Sequence, residues 1–317
     1  MKAVLGIDTS CYTTSAALVS LDGTLLASSR RLLTVAEGER GLQQSQGLFQ
    51  HVKNLPDMIG NVMRDAPDAK VVAVCASTRP RPVEESYMPV FRAGESQARA
   101  VAAMLRVPFY AVSHQEGHVK AALVDSMIDE SRPFLALHLS GGTTEVLLCS
   151  RGKLSLIGGS RDLHAGQLID RTGVRMSTGF PAGPALEKLA KGGKSQSLIG
   201  VSVRGAFCNL AGAENKIEGW LRQGEMTHEQ IAAEVFDFLS RSIERMIEAA
   251  CEETGVSQAL LAGGVASSTL LREMLDERAL KRRLKCRLCY ARPELSGDNA
   301  VGVALLGVSN HLQSLQG

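Results

Sequence analysis

One local pattern occurs twice in this chain, about 130 residues apart, and constrains the fold more than any other feature. The first copy runs Val4-Leu5-Gly6-Ile7, then Asp8-Thr9-Ser10-Cys11-Tyr12-Thr13-Thr14, then Ala16-Ala17-Leu18-Val19 and a turn at Asp22-Gly23. The second runs Phe134-Leu135-Ala136-Leu137-His138-Leu139, then Ser140-Gly141-Gly142-Thr143-Thr144, then Val146-Leu147-Leu148 and a turn at Arg151-Gly152. Each reads as an apolar strand, a short turn of small polar residues, a second strand and a glycine turn into a third. Such turns expose backbone N–H groups and hydroxyls at a strand end, where an anion can sit. A duplicated hairpin predicts two related α/β lobes closing on a nucleotide.

The alternation of strands and helices divides the chain into lobes at 1–132 and 133–317, and its 317 residues are ample for two cores. Lys and Arg number 35 against 33 Asp and Glu, a net charge of +2. No global field marks a nucleic-acid binder, so any RNA contact must come from a local patch. No apolar run approaches the roughly 18 residues of a membrane span, and the N-terminus enters a strand without a signal-peptide pattern. A cytoplasmic protein without a membrane partner is expected. The seven cysteines are odd in number and scattered, which fits reduced thiols. Cys286-Arg-Leu-Cys289 has no second pair to complete a zinc site, so packing is its expected role.

A three-stranded meander is expected over residues 2–35. A helix from Gln44 to Met63 follows, with Leu48, Val52, Leu55, Ile59 and Val62 on its apolar face. Arg79-Pro80-Arg81-Pro82 must be a loop. In the second lobe a long helix begins at Thr227, where Thr227-x-x-Gln230 forms a capping box, and ends at Gly255.

Chemistry concentrates at a few places. Gly263-Gly264-Val265 joins a buried strand to a helix start, where backbone can approach a flat ligand and a helix N-terminus favours anions. With the two hairpin turns it would wall one nucleotide site. Ser113 and Glu116 form another capping box, so His114 and His118 stand four apart on one face of a helix, within reach of one metal ion. Gln115 excludes the H-E-x-x-H pattern of zinc proteases. Two histidines need a carboxylate to complete a site, and Asp298 before the last helix is the best candidate. Two histidines and one carboxylate suit iron or zinc, with open positions for a substrate; surface histidines are the competing reading. Asp162 and Asp170 flank His164, and Asp170 is preferred as a partner for ribose hydroxyls. The basic run Lys281–Arg287 and the group Arg79, Arg81 and Arg92 either meet phosphates or form solvated faces. No side chain is singled out as a nucleophile, general acid or general base.

The ordered series Gly6-Ile7-Asp8-Thr9-Ser10-Cys11, His114-x-x-x-His118, Ser140-Gly141-Gly142-Thr143-Thr144, Asp170, Pro181-Ala182-Gly183-Pro184, Ala262-Gly263-Gly264-Val265 and Asp298-Asn299-Ala300 resembles the universal tRNA threonylcarbamoyladenosine synthase family. That family was formerly called O-sialoglycoprotein endopeptidase, or glycoprotease. The resemblance spans essentially the whole chain. It implies the two-lobed actin/Hsp70/sugar-kinase fold with a duplicated ribonuclease H-like core. It also implies transfer of threonylcarbamoyl from its adenylate to the N6 amine of the adenosine beside the tRNA anticodon. His114, His118 and Asp298 would hold one divalent metal ion. ATP or threonylcarbamoyl-adenylate would bind through Ser10, Leu139, Ser140, Gly141, Gly142, Thr143, Asp170, Gly183, Gly263, Gly264 and Ser268. The implied partners are tRNA, an inert paralogue and a small ATPase, and a homo- or heterodimer is compatible with this. The chain departs from the family pattern at Asp8, where Glu is usual, and at Tyr12-Thr13, usually Asp-Glu. Thr143 stands for a histidine, Gln167 for Glu, Ser268 for Asn, and the Arg79–Pro82 loop for Gly-Pro-Gly. The alternative readings are a non-catalytic nucleotide-binding paralogue and a small-molecule carbamoyltransferase of the same fold.

Overall fold

In the computed structural model, which describes residues 1–35 and 42–316, both copies of the repeat fold as hairpins with the same frame. The first gives β1 (Lys2–Thr9), β2 (Thr13–Ser20) and β3 (Leu25–Leu32), antiparallel in that order. Then come α1 (Gln44–Asp65), β4 (Lys70–Arg79), α2 (Phe91–Leu105), β5 (Phe109–Ser113) and α3 (His114–Leu123). The sheet order is β3-β2-β1-β4-β5, with β4 and β5 parallel to the first strand's direction. From Ala3 to Thr9 every residue of β1 is buried, as a strand covered on both faces requires. The buried stripe of α1 runs through Gly47, His51, Leu55, Met58 and Val62. It is rotated from the expected one: Val52 is 48% exposed, and a histidine takes its place inside.

The second copy gives β6 (Phe134–Leu139), β7 (Thr144–Ser150) and β8 (Lys153–Ser160). It continues through α4 (Ala165–Arg175), α5 (Gly183–Gly192), β9 (Ser202–Arg204), β10 (Phe207–Asn209), α6 (Ala211–Gln223) and α7 (His228–Thr254). It closes with β11 (Gln258–Ala262), α8 (Thr269–Lys281) and β12 (Arg287–Tyr290), and the chain's last helix is α9 (Val301–Ser314). The sheet order is β12-β11-β6-β7-β8-β10-β9. Its first five strands repeat the order of the first sheet, while β10 and β9 extend the β8 edge. The Thr227 capping box and the left-handed Gly255 bound α7 as the sequence predicts.

The chain divides into two compact units, Met1–Val124 with Gly297–Gly317, and Asp125–Ser296. Both expected boundaries shift: the first from 132 to 124, and the last 21 residues leave the second lobe for the first. The cause is backbone-close packing of α9. A Cβ added at Gly302 would sit 1.9 Å from the Gly117 carbonyl oxygen on α3, and one at Gly307 would sit 2.6 Å from Cys75 Cβ on β4. On β1, a Cβ at Gly6 would lie 2.6 Å from the Ala304 nitrogen. Only glycines permit these approaches. The first unit's core gathers Leu5, Ile7, Leu18, Leu55, Val62 and Val74. The second surrounds the buried face of α7, including Val235, Phe238, Leu239 and Ile243. All seven cysteines are free thiols. Among the described residues no helix is long and apolar enough to cross a membrane.

Candidate metal centre and candidate nucleotide cavity

The first unit brings His114, His118 and Asp298 together. Ser113 caps α3 by accepting from the Glu116 N–H, while the Glu116 carboxylate accepts from the Ser113 N–H. This fixes His114 at the first helical position and His118 one turn on, on the same face. Gly117 faces α9 instead, and its close contact with Gly302 brings the loop before α9 alongside α3. Asn299 braces that loop, accepting from the Val301 N–H at 3.0 Å and donating to the Gly297 carbonyl at 2.7 Å.

The potential ligand atoms form a tight triangle. His118 Nε2 lies 3.0 Å from His114 Nε2 and 3.0 Å from Asp298 Oδ1, and His114 Nε2 lies 3.6 Å from Asp298 Oδ1. For metal bonds of about 2.1 Å, ligand atoms on one ion stand about 3.0 Å apart in octahedral and about 3.4 Å in tetrahedral geometry. Two of the three ligands are oriented from behind. His114 Nδ1 donates to Asp8 Oδ1 at 2.9 Å, which leaves Nε2 facing the triangle, and Ser77 Oγ donates to the same Asp8 oxygen. Asp298 Oδ2 accepts from Ser10 Oγ at 2.5 Å, leaving Oδ1 for the histidines. A carboxylate behind a ligating histidine is the usual second layer of a metal site.

Electrostatics agree with the geometry. Burial works against the His114 imidazolium, but the Asp8 and Asp298 carboxylates outweigh it and hold its pKa well above the ordinary value. Burial would raise the Asp298 pKa, but the two imidazoles bring it well below the usual carboxylate range. The second oxygen of Asp8 is wholly buried without a hydrogen-bond partner, which leaves negative charge behind His114. A divalent cation offsets that charge, so the residues present fit the implied metal.

The second unit holds a cavity of about 340 Å³, lined by Gly141, Asp170, Gly183, Gly264 and Ser268 among others. A Cβ added at Gly183 or Gly264 would meet nothing within 4 Å, so these glycines leave space rather than relieve a clash. Asp170 Oδ1 accepts from the Ala182 N–H at 2.8 Å, tying α4 to the Pro-Ala-Gly turn at the start of α5. Its Oδ2 lies 4.0 Å from where a Gly141 Cβ would stand. Ser268 caps α8, accepting from the Leu271 N–H. The volume lies at the lower end of small-ligand sites, and the start of α5 borders it, an arrangement that favours an anionic ligand.

Other expected cofactor residues lie elsewhere. Ser10 belongs to the first unit, and its hydroxyl is committed to Asp298. Leu139 is fully buried. Gly263 packs on it with φ +97°, and a Cβ there would stand 2.3 Å from the Leu139 oxygen, so this glycine is needed for a turn. Ser140, Gly142 and Thr143 complete the hairpin turn beside Gly141 without lining the cavity. Asp162 is structural: it accepts from the N–H groups of Leu163, Leu210 and Ala211 and holds the start of α6. Of the basic residues, Arg92 pairs with Glu95 at 2.6 Å. Arg282 lies 3.6 Å from Glu244, and Arg287 donates to the Met127 carbonyl. Sequence reasoning passes over His51 and the bracing role of Asp8. His51 falls on the buried stripe of α1 at helical spacing from Gly47, Leu55 and Met58, and that spacing is the signal that finds it.

Compared with known proteins, the chain matches the family model described as tRNA N6-adenosine threonylcarbamoyltransferase over residues 49–305. A curated relative of that name, from Thermus thermophilus, is 31% identical and covers 97% of this chain and 93% of its own. Among solved structures, T. kodakarensis HypF is similar with a TM-score of 0.63 at 14% identity, covering 99% of this chain and 48% of its own. A ROK hexokinase from Thermus thermophilus gives a TM-score of 0.56 at 15% identity over 99% of this chain and 100% of its own. These structural likenesses speak for the fold alone, the actin/Hsp70/sugar-kinase class.

Proposed function

Because this chain belongs to the tRNA N6-adenosine threonylcarbamoyltransferase family, an acyltransferase family, we propose that it moves threonylcarbamoyl from threonylcarbamoyl-adenylate to the N6 amine of the adenosine beside the tRNA anticodon. In this step a C–N bond forms at the carbamoyl carbon, the C–O bond to the adenylate phosphate breaks, AMP leaves with the electron pair, and the proton lost from N6 passes to solvent. The observation that carries the reading is the triangle of His114 Nε2, His118 Nε2 and Asp298 Oδ1, in which Asp8 holds His114 and Ser10 holds Asp298 from behind.

The residues divide the work. His114, His118 and Asp298 would hold one divalent ion, iron or zinc, which when bound supplies Lewis-acid polarisation of a carbonyl. Asp8 fixes the tautomer and direction of His114, and Ser10 fixes Asp298. Gly183 and Gly264 would leave room for the adenosine part of the donor, and Asp170, which lines the same cavity, would meet the ribose hydroxyls. The start of α5 favours the phosphate. tRNA is the acceptor, and an inert paralogue and a small ATPase are the expected partners in the cytoplasm. Complementation of a synthase-deficient strain, read by mass spectrometry of tRNA nucleosides, tests this. Restored threonylcarbamoyladenosine supports the reading. A folded, nucleotide-binding protein that restores none identifies a non-catalytic paralogue instead.

A further inference from the structure

We infer that His51, a fully buried histidine in α1, is a positioning residue for the metal centre: it fixes the Ser10 main chain and, through the Ser10 hydroxyl, the direction of the Asp298 carboxylate. This rests on the reading of His114, His118 and Asp298 as a cation site.

His51 is 0% exposed, and its buried neighbours along α1 are Gly47, Leu55, Met58 and Val62. Packing alone is served there by an apolar side chain, and burying a polar ring is costly unless both nitrogens find partners. Both do. His51 Nε2 is 2.8 Å from the Ser10 carbonyl oxygen, and Nδ1 is 2.8 Å from Thr14 Oγ1. A carbonyl only accepts, so Nε2 carries the hydrogen and Nδ1 accepts from the Thr14 hydroxyl. Thr14 Oγ1 in turn accepts from Asn54 Nδ2 at 3.4 Å. The donors therefore run in one direction, from Asn54 through Thr14 and His51 to Ser10. Burial keeps the imidazole below the ordinary histidine pKa, consistent with this neutral tautomer.

Ser10 is held at every polar group it has. Its N–H donates to the Thr13 carbonyl at 3.1 Å, its carbonyl accepts from His51, and its Oγ accepts from the Thr13 N–H at 3.2 Å. The one hydroxyl hydrogen has two acceptors in reach, the Thr13 carbonyl at 3.3 Å and Asp298 Oδ2 at 2.5 Å, and the shorter, charge-assisted bond to Asp298 takes it. Without His51 the Ser10 carbonyl loses its anchor to α1, and Asp298 can rotate Oδ1 away from the histidines. The equivalent threonine of the second hairpin, Thr144, accepts from the Ala165 N–H, so that copy anchors its helix without a histidine. A histidine is needed only where the turn orients a ligand.

The test is binding of Co²⁺ to the purified full chain, read by the visible spectrum and by competition with a chelator. In His51→Leu, which keeps the bulk but donates nothing, affinity should fall on the order of tenfold or more, as loss of a ligand-orienting partner does. The adenine-nucleotide affinity should stay within about twofold, since that cavity is lined by the second unit. His51→Gln can place an amide N–H near the Nε2 position and should recover most of the affinity and the wild-type spectrum, which a merely structural role does not predict. Thr14→Val, which frees Nδ1, should weaken Co²⁺ binding in the same direction, and it decides the matter if His51→Leu does not fold. Unchanged affinity and spectrum in a folded His51→Leu, or in Thr14→Val when His51→Leu does not fold, overturns the inference. Failure of the wild-type chain to bind Co²⁺ through His114 and His118 overturns the cation site itself, and the inference with it.

Discussion

The two hairpin turns share a frame and differ in what they hold. In each, the first turn residue donates its N–H to the carbonyl three positions on, Ser10 to Thr13 at 3.1 Å and Ser140 to Thr143 at 2.8 Å. In each, a buried threonine at or next to the start of the following strand reaches the next helix with its hydroxyl. Thr14 meets His51 of α1, and Thr144 meets the Ala165 N–H at the start of α4. The first turn carries Cys11 and Tyr12 where the second carries Gly141 and Gly142. In the first turn the Ser10 hydroxyl points at a carboxylate, while in the second the bare backbone of Gly141 borders a cavity. The two turns keep the same strand pairing and differ at two residues, one lying beside the cluster of His114, His118 and Asp298 and the other beside the cavity.

Substitutions that strike one side only are the way to break this comparison. The largest effect is expected from His118→Ala. With one of three ligands gone, metal affinity should fall on the order of a hundredfold, while calorimetry with an adenine nucleotide stays near wild type. An equal loss in both measurements contradicts independent sites. Gly264→Leu is the reciprocal case. Its side chain would grow into open cavity rather than into protein, so nucleotide affinity should drop about tenfold or more with metal content unchanged. A bound nucleotide of normal affinity would move the site elsewhere.

Gly302→Val sharpens the comparison from within the first unit. The added side chain meets the Gly117 carbonyl, so overpacking should cost about 1–3 kcal/mol in urea unfolding and loosen the metal site with it. The smallest effect is expected at Asp162→Asn in the second unit, about 1 kcal/mol from the weakened anchor of α6. Burial would raise the Asp162 pKa, but the N–H groups of Leu210, Leu163 and Ala211 and the Asn209 amide hold it below the ordinary value. Its contribution is therefore full above the unfolded carboxylate pKa of about 3.9 and fades as pH falls through the lower folded value. Wild type and variant should converge in acid. A difference that persists below that range excludes the carboxylate as its source.

Much of this was legible in the sequence. The repeat spacing predicts both hairpins, and the Ser113–Glu116 box predicts the helix that pairs His114 with His118. What the sequence obscured was long-range packing. Asp298 sits before a helix that reads like any apolar C-terminal helix. Its return to the first unit depends on Gly6, Gly117, Gly302 and Gly307, which permit backbone contact across elements distant in the chain. Ser10 looked like an anion-binding hydroxyl because its partner is 288 residues away. His51 was hidden because Leu48, Val52 and Ile59 offer a plausible apolar face slightly rotated from the one that α1 buries. Strand-scale patterns are local and survive such ambiguity; of the site, the three candidate ligands His114, His118 and Asp298 were legible, while the contacts behind them from Asp8, Ser10 and His51 were not.

X-ray absorption spectroscopy of the zinc- or iron-loaded wild-type chain tests the central claim most directly. The account predicts only nitrogen and oxygen neighbours at about 2.0–2.2 Å, with the outer-shell scattering of two imidazoles. A sulfur neighbour at about 2.3 Å, drawn from the free thiols, or fewer than two imidazoles, would contradict it.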